Sequence, residues 1–164
     1  MTVEIDREAL LDFFVTFARV ELALKSAGFF QHHPCPDPTD PPDASPDWDK
    51  FAISLRTVFC KDVNPNLYAA CEDILLNPPW REVICNDSSM WRADPPPQEL
   101  TPVESLLLSI RRLRNNLFHG ASFSSVQGYD LTTTENLLKA SVIVLKECLR
   151  VSPTVQKEYE DATL

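Results

Sequence analysis

Glycine is scarce in this chain: only three occur among its 164 residues. A β-sandwich closed by many tight turns needs more, because glycine supplies their left-handed backbone. Long apolar runs are missing as well, and none approaches the ~18 residues of a membrane-spanning helix. The N-terminal residues lack the basic stretch and apolar core of a secretory leader. The expectation is a soluble, cytoplasmic protein. Positive charge is also short, with fifteen Lys and Arg against twenty-four Asp and Glu and a net charge of −9. Averaged over the surface, that field repels nucleic acid and anionic lipid. Any phosphate ligand must be held by a local basic site, and neither membrane nor DNA is an expected partner.

Several catalytic signatures are absent. There is no Gly-rich phosphate loop, no HExxH and no GxSxG. The five cysteines (Cys35, Cys60, Cys71, Cys85 and Cys148) are odd in number and form no CxxC pair. A disulfide framework or zinc ribbon shows tighter spacing. Cys71 and Cys148 fall on helical patterns and read as small buried hydrophobes. His32, His33 and Cys35 are metal-ligand types, but they crowd into a Pro-rich stretch with no fourth partner in pattern. No metal and no cofactor is expected.

What the chain does have is proline, fourteen in all, and a hydrophobic fraction of 44%. At roughly 150 residues per domain, the length suits one domain with a sizeable core. Many prolines and few glycines suit helices joined by stiff connections. The first helix is expected from Asp6 to Ala27, where Leu10, Phe13, Phe17, Val20 and Leu24 recur at helical spacing before Gly28. An extended acidic loop follows over 31–47. Ser45-Pro46 is expected to start a second helix running through Phe59, and Asn64-Pro65 a third. Residues 78–100, with Pro95-Pro96-Pro97, read as a packed loop. Thr101-Pro102-Val103-Glu104 forms a capping box opening a fourth helix to Gly120, and Thr132 to Glu135 another opening the fifth. Ser152-Pro153 closes it. The expected architecture is all-α: a bundle of about five helices over 1–152 with two long Pro-rich loops, then a polar, mobile tail at 153–164.

Some charged residues fall on the wrong face. With 100° per residue and Phe17 at the origin, the apolar stripe lies within roughly 60° and Glu21 at roughly 40°. Arg19 points to solvent and Lys25 lies at the edge, one turn beyond Glu21. On the fourth helix, Arg114 falls roughly 45° from the centre of its apolar stripe. An inward Arg and an inward Glu each need a partner, since an unpaired buried charge is expensive, so the two are expected to face each other. Either a structural clamp or a functional site meets that description. Arg111, Asn115 and His119 form a polar stripe beside Arg114. Arg111, Arg112 and Arg114 are the only dense basic cluster.

The run Arg114-Asn115-Asn116-Leu117-Phe118-His119-Gly120 resembles the R-x4-H signature of HEPN domains, in the form where a polar residue follows the Arg. Phe17-Ala18-Arg19-Val20-Glu21-Leu22-Ala23-Leu24-Lys25 resembles the charged first-helix motif of small stand-alone bacterial HEPN proteins, and Trp48-Asp49-Lys50-Phe51-Ala52 their second helix. The similarity spans most of residues 6 to 150. Family members are helical bundles, usually dimeric. Many are metal-independent RNases of toxin–antitoxin, anti-phage and other RNA-targeting defence systems, and others only bind.

The resemblance implies Arg114 and His119 as a catalytic pair, assisted by Asn115. Glu21 and Lys25 would support the pair from behind, and Arg111 and Arg112 would guide RNA. The implied partners are RNA, a second copy of the chain, and an antitoxin or other defence component. One departure bears on control. Ala121 stands where some HEPN toxins carry a Tyr that an antitoxin modifies, so any antitoxin here is expected to act by binding. A non-catalytic interaction module and a nucleotide sensor remain rival readings. The charge of −9 favours the first of these mildly, since an RNase gains nothing from a repulsive surface.

Overall fold

The computed structural model describes residues 5–119 and 131–162. Helix α1 spans Arg7–Ser26. Asp6 caps it, accepting hydrogen bonds from the amides of Glu8 at 3.0 Å and Ala9 at 3.2 Å. Gly28, at a φ of 89°, turns the chain back, and the Phe29 amide then bonds to the Leu24 carbonyl at 2.8 Å. Positive φ costs glycine least, so the stop expected at Gly28 is found.

The expected acidic loop is partly sheet. Strands β1 (Phe30–His33) and β2 (Asp43–Pro46) pair antiparallel, from Phe30 opposite Pro46 to His33 opposite Asp43. Pro34, Pro36, Pro38, Pro41 and Pro42 all lie in the connection, where their missing N–H interrupts no ladder. Pro46 ends a strand and does not start a helix. The cap is Asp47, whose carboxylate accepts from the Lys50 amide at 2.9 Å, and α2 covers only Trp48–Ser54. Val58 and Phe59 lie beyond it.

A single 3-10 turn (Lys61–Val63) leads to α3, Pro65–Leu76. Asn64 caps α3 as expected, accepting from the Leu67 amide at 2.8 Å. The segment read as a packed loop contains a second hairpin, β3 (Arg81–Cys85) and β4 (Ser88–Arg92). Its turn is Asn86-Asp87, both at positive φ, as a type I′ turn requires. The triple proline comes after the strand.

Helix α4, Pro102–Phe118, begins with the expected capping box. Gly120 and Ala121 lie outside the described residues. Helix α5 spans Leu131–Arg150 and is already helical at Thr132, so no second capping box opens it there. Glu135 instead accepts a hydrogen bond from the Asp6 amide at 2.8 Å, tying α5 to the start of α1. Ser152-Pro153 ends α5 and immediately starts α6, Pro153–Asp161. The expected loose tail is therefore a packed helix: Val155 is fully buried and α6 lies along α1. Arg19 does not point to solvent either. Its guanidinium donates to the Tyr159 carbonyl at 2.8 Å and lies 4.1 Å from the Tyr159 ring centre.

Among the described residues, the fold is thus six helices and two small hairpins, mainly helical but not purely so. Helix α5 packs on α1 and α3, and α4 on α2 and α3, around Phe13, Phe51, Leu106, Ile110, Leu138 and Leu145. No described helix is long and apolar enough to cross a membrane.

Cys71 and Cys148 are buried, as expected, and burial pushes the Cys71 thiol up to about 11. An aromatic disulfide reagent should label Cys35, Cys60 and Cys85 quickly and reach Cys71 and Cys148 only on unfolding. Fast labelling of all five would contradict this packing.

Glu104 sets an acid limit. Hydrogen bonds from Arg56 and then Thr101 hold its carboxyl at about 2, against an ordinary 4.5. A carboxyl depressed by folding contributes stability above its unfolded value, and that contribution fades as the folded group protonates. Stability should fall as pH drops from about 4.5 towards 2. The Glu104→Gln variant, compared by urea denaturation at pH 5 and pH 3, should lose the part of this fall that Glu104 supplies.

Candidate active site

The carboxyl-terminal half of α4 carries the polar residues singled out in the sequence. Arg114 lies at the surface side of the bundle, its side chain one-third exposed at 33%. One of its terminal nitrogens donates to Asn115 Oδ1 at 3.0 Å. The other stands 4.0 Å from Glu21 Oε2 on α1. The guanidinium carbon lies 4.5 Å from the Phe118 ring centre and 5.5 Å from that of Phe17. Arginine's flat, weakly hydrated cation is suited to such aromatic company.

Glu21 is held from its other side. Its Oε1 accepts from the Trp48 indole N–H at 3.2 Å, and Trp48 in turn stacks on Phe17 with ring centres 5.0 Å apart. The expected meeting of Glu21 and Arg114 is therefore present, but at the long end of ion-pair distance. Lys25 is exposed in the last turn of α1, where it complements the helix carbonyls. Phe14, Phe17, Glu21, Arg114 and Phe118 line a cavity of about 360 Å³.

His119 is the C-cap of α4, its amide bonded to the Asn115 carbonyl at 3.2 Å and its side chain exposed. It opens into a different cavity, also about 360 Å³, with Trp80, Trp91, Arg112, Asn115 and Asn116. The separation follows from spacing: five residues turn a helix by roughly 500°, which leaves Arg114 and His119 roughly 140° apart. Asn115 joins the two cavities, since it lines the second and accepts from Arg114 of the first. Within one chain the expected pair is thus bridged by Asn115 rather than side by side.

Arg111 and Arg112 are engaged by carboxylates. Arg111 pairs with Asp49 of α2 at 2.9 Å. Arg112 reaches Asp94 with one nitrogen on the carboxylate at 3.1 Å and another on the carbonyl at 2.6 Å. Arg81 also approaches Asp94, at 3.7 Å. The Asn116 amide donates to the Trp80 carbonyl at 2.7 Å, fastening the β3–β4 hairpin to α4. Sequence reasoning did not place Trp80 and Trp91 at the site. The available signal was Asn86-Asp87 between apolar pairs, the mark of a hairpin able to bring two tryptophans back together.

His32 and His33 are remote in kind: they lie exposed on β1, with His33 Nε2 2.6 Å from the Ser45 hydroxyl. Among the described residues no three His, Cys, Asp or Glu side chains gather as a metal site. Compared with known protein families, with curated proteins and with solved structures, the chain has no match. The meaning of the site therefore rests on its own geometry.

A contact of 4.0 Å between two side chains about one-third exposed is not a clamp. Exposed pairs contribute about 0–1 kcal/mol. The Glu21→Gln variant, which keeps an acceptor for the Trp48 indole, should lose less than about 1 kcal/mol in urea denaturation. A loss of several would restore the clamp reading.

Proposed function

We propose that this chain is a metal-independent endoribonuclease of HEPN type. In this reading it cleaves unpaired RNA to a 2′,3′-cyclic phosphate and a 5′-hydroxyl, and it acts as a homodimer. The observation that carries the reading is the arrangement at the end of α4. An exposed His119 stands one turn from Asn115, and Asn115 holds the guanidinium of Arg114.

The chemistry needs a base, an acid and a cation. One imidazole takes the proton of the 2′-hydroxyl, whose oxygen attacks phosphorus. The bond from phosphorus to the 5′-oxygen breaks, and that oxygen takes a proton from an imidazolium. Arginine stabilises the charge that builds on the phosphorane oxygens. Imidazole suits both roles because its ordinary protonation range lies near neutral pH. Each chain offers one histidine at this site, so base and acid come from two copies. Asn115 orients Arg114 and the phosphate between them.

The surface around Arg114 supports pairing. Phe118 is 64% exposed and packs edge-on against Phe14, with ring centres 5.1 Å apart. Leu11, Val15 and Leu22 extend this exposed apolar surface along α1. Symmetric association over it would bring two Arg114 side chains towards one cleft and cover the aromatic rings. Arg111 and Arg112 would serve RNA only by exchanging their aspartate partners for phosphate, which makes binding salt-sensitive. The setting proposed is RNA-targeting defence, toxin–antitoxin or anti-phage, with any antitoxin acting by binding.

The same apolar surface favours a second reading, a non-catalytic interaction module. A nucleotide sensor, holding phosphate at these residues without cleaving it, is a further outcome of the same test. RNA cleavage in EDTA by the purified protein, beside His119→Ala, separates them. The expected result is cyclic phosphate ends and a loss of about 100-fold or more in the variant, the usual weight of a general acid or base. A folded protein that leaves several RNAs intact would transfer the site to binding.

A further inference from the structure

Trp80 and Trp91 do not belong to the core. Trp48 is only 3% exposed and packs with Phe17 and Phe51, whereas Trp80 and Trp91 are half-buried and stand apart from the buried apolar cluster. Large aromatic rings left partly in water at the rim of a cavity are characteristic of ligand contacts rather than of packing.

The hairpin places them deliberately. Trp91 on β4 is directly opposite Glu82 on β3, and Trp80 lies two residues before Glu82. A period of two puts all three on one face of the hairpin. That face meets the end of α4, because Trp80, Glu82 and Trp91 share one cavity with Asn115, Asn116 and His119. The bond from the Asn116 amide to the Trp80 carbonyl fixes the distance between hairpin and helix.

Charge at this place runs against the chain's average. Arg81 and Arg92 are direct partners across the hairpin, an arrangement that like charges disfavour. Arg112 comes from α4, and Asp94 sits between Arg112 and Arg81. Around this cleft two guanidiniums, Arg81 and Arg112, balance two carboxylates, Asp94 and Glu82, in a chain of net charge −9.

We propose that this cleft is the base-binding subsite of the RNA site: an unpaired nucleobase stacks on Trp80 and Trp91 while its backbone phosphate lies towards Arg112. The proposal rests on the reading of the site as an RNA site. Its volume of about 360 Å³ is at the small end of ligand cavities, enough for one nucleotide rather than a duplex. Every base has a π-face, so stacking on indole tolerates any sequence. The carboxylate of Glu82 and the amide of Asn115 supply an acceptor and a donor at the cavity wall, which favour bases carrying an amino group. Seating the base here leaves the adjoining ribose beside His119, where the 2′-hydroxyl proton must be removed. The subsite therefore selects single strands by requiring a base that is already unpaired.

The test uses a 2′-O-methyl RNA octamer, which cannot be cleaved because its attacking hydroxyl is blocked. Its binding is read by tryptophan fluorescence and by anisotropy of a labelled copy. The expected result is quenching on addition of single-stranded octaadenylate, with no response to the same sequence in a duplex. Trp91→Ala should weaken binding by about 5- to 150-fold, the weight of one stacked base, and Trp91→Phe should restore most of it. Trp80→Ala should act in the same direction. Unchanged affinity in both alanine variants, or no binding by the folded wild-type protein, overturns the subsite. The two readings fail separately. Trp-dependent binding with unmodified RNA left intact keeps the subsite and removes the nuclease. Cleavage that is indifferent to Trp80 and Trp91 keeps the nuclease and removes the subsite.

Discussion

Glu104 does three things in the first turn of α4. One oxygen accepts from the Thr101 amide at 2.9 Å and from its hydroxyl at 2.5 Å, and the other accepts from Arg56 at 2.7 Å. Together these determine where the helix starts and at what rotation it leaves. The site depends on that rotation. Shifting the start by one residue would turn the helix by roughly 100° and exchange the surroundings of Arg114 and Asn115. Arg114 would leave the ring of Phe17 on α1, and Asn115 would leave the cleft beneath the tryptophans. An interaction two to three turns away thus decides which side chains share a cavity.

Charge is distributed on a similar principle. The chain is acidic overall, yet the end of α4 concentrates arginines, each with a defined neighbour. Asp49 holds Arg111, Asp94 holds Arg112, and Glu21 stands back from Arg114. The first two are short, direct ion pairs and the third is loose. Arg114 is therefore the guanidinium most ready to take a new anion, while its aromatic neighbours keep it from collapsing onto the surface. The resting protein presents a paired surface, and a phosphate group would have to compete with carboxylates for all but one of these cations.

Much of this was legible in the sequence, for identifiable reasons. The ends of α1, α3 and α4 are set by local chemistry, at Asp6 and Gly28, at Asn64-Pro65, and at Thr101 with Glu104. Such signals act within four residues, and at these three helices tertiary packing leaves them in force. Ser45-Pro46 misled because the same dipeptide can end a strand, and partner β1 lay across a proline-rich connection that carries no periodic signal. The β3–β4 hairpin was hidden by shortness: five residues a side, with prolines close behind. Glu135 resembled a capping residue by spacing, but its hydrogen bond goes to Asp6. Helical angle foretold that Arg114 and Glu21 meet, though both stay partly exposed and 4.0 Å apart, whereas the tryptophan wall required knowing that a hairpin folds back onto α4.

Helix α1 owes its place to partners far along the chain. Asp6 is bonded to a residue 129 positions later, and Arg19 to one 140 positions later. At ribosomal speeds of roughly 5–20 residues per second, on the order of ten seconds separates the synthesis of α1 from that of its cover. For that interval α1 has Trp48 to stack on Phe17 but lacks the cover that α5 and α6 give it. The bundle closes late, and Glu21 reaches its neighbours on α4 only as α1 settles. The cell therefore meets this surface first as an unfinished polypeptide.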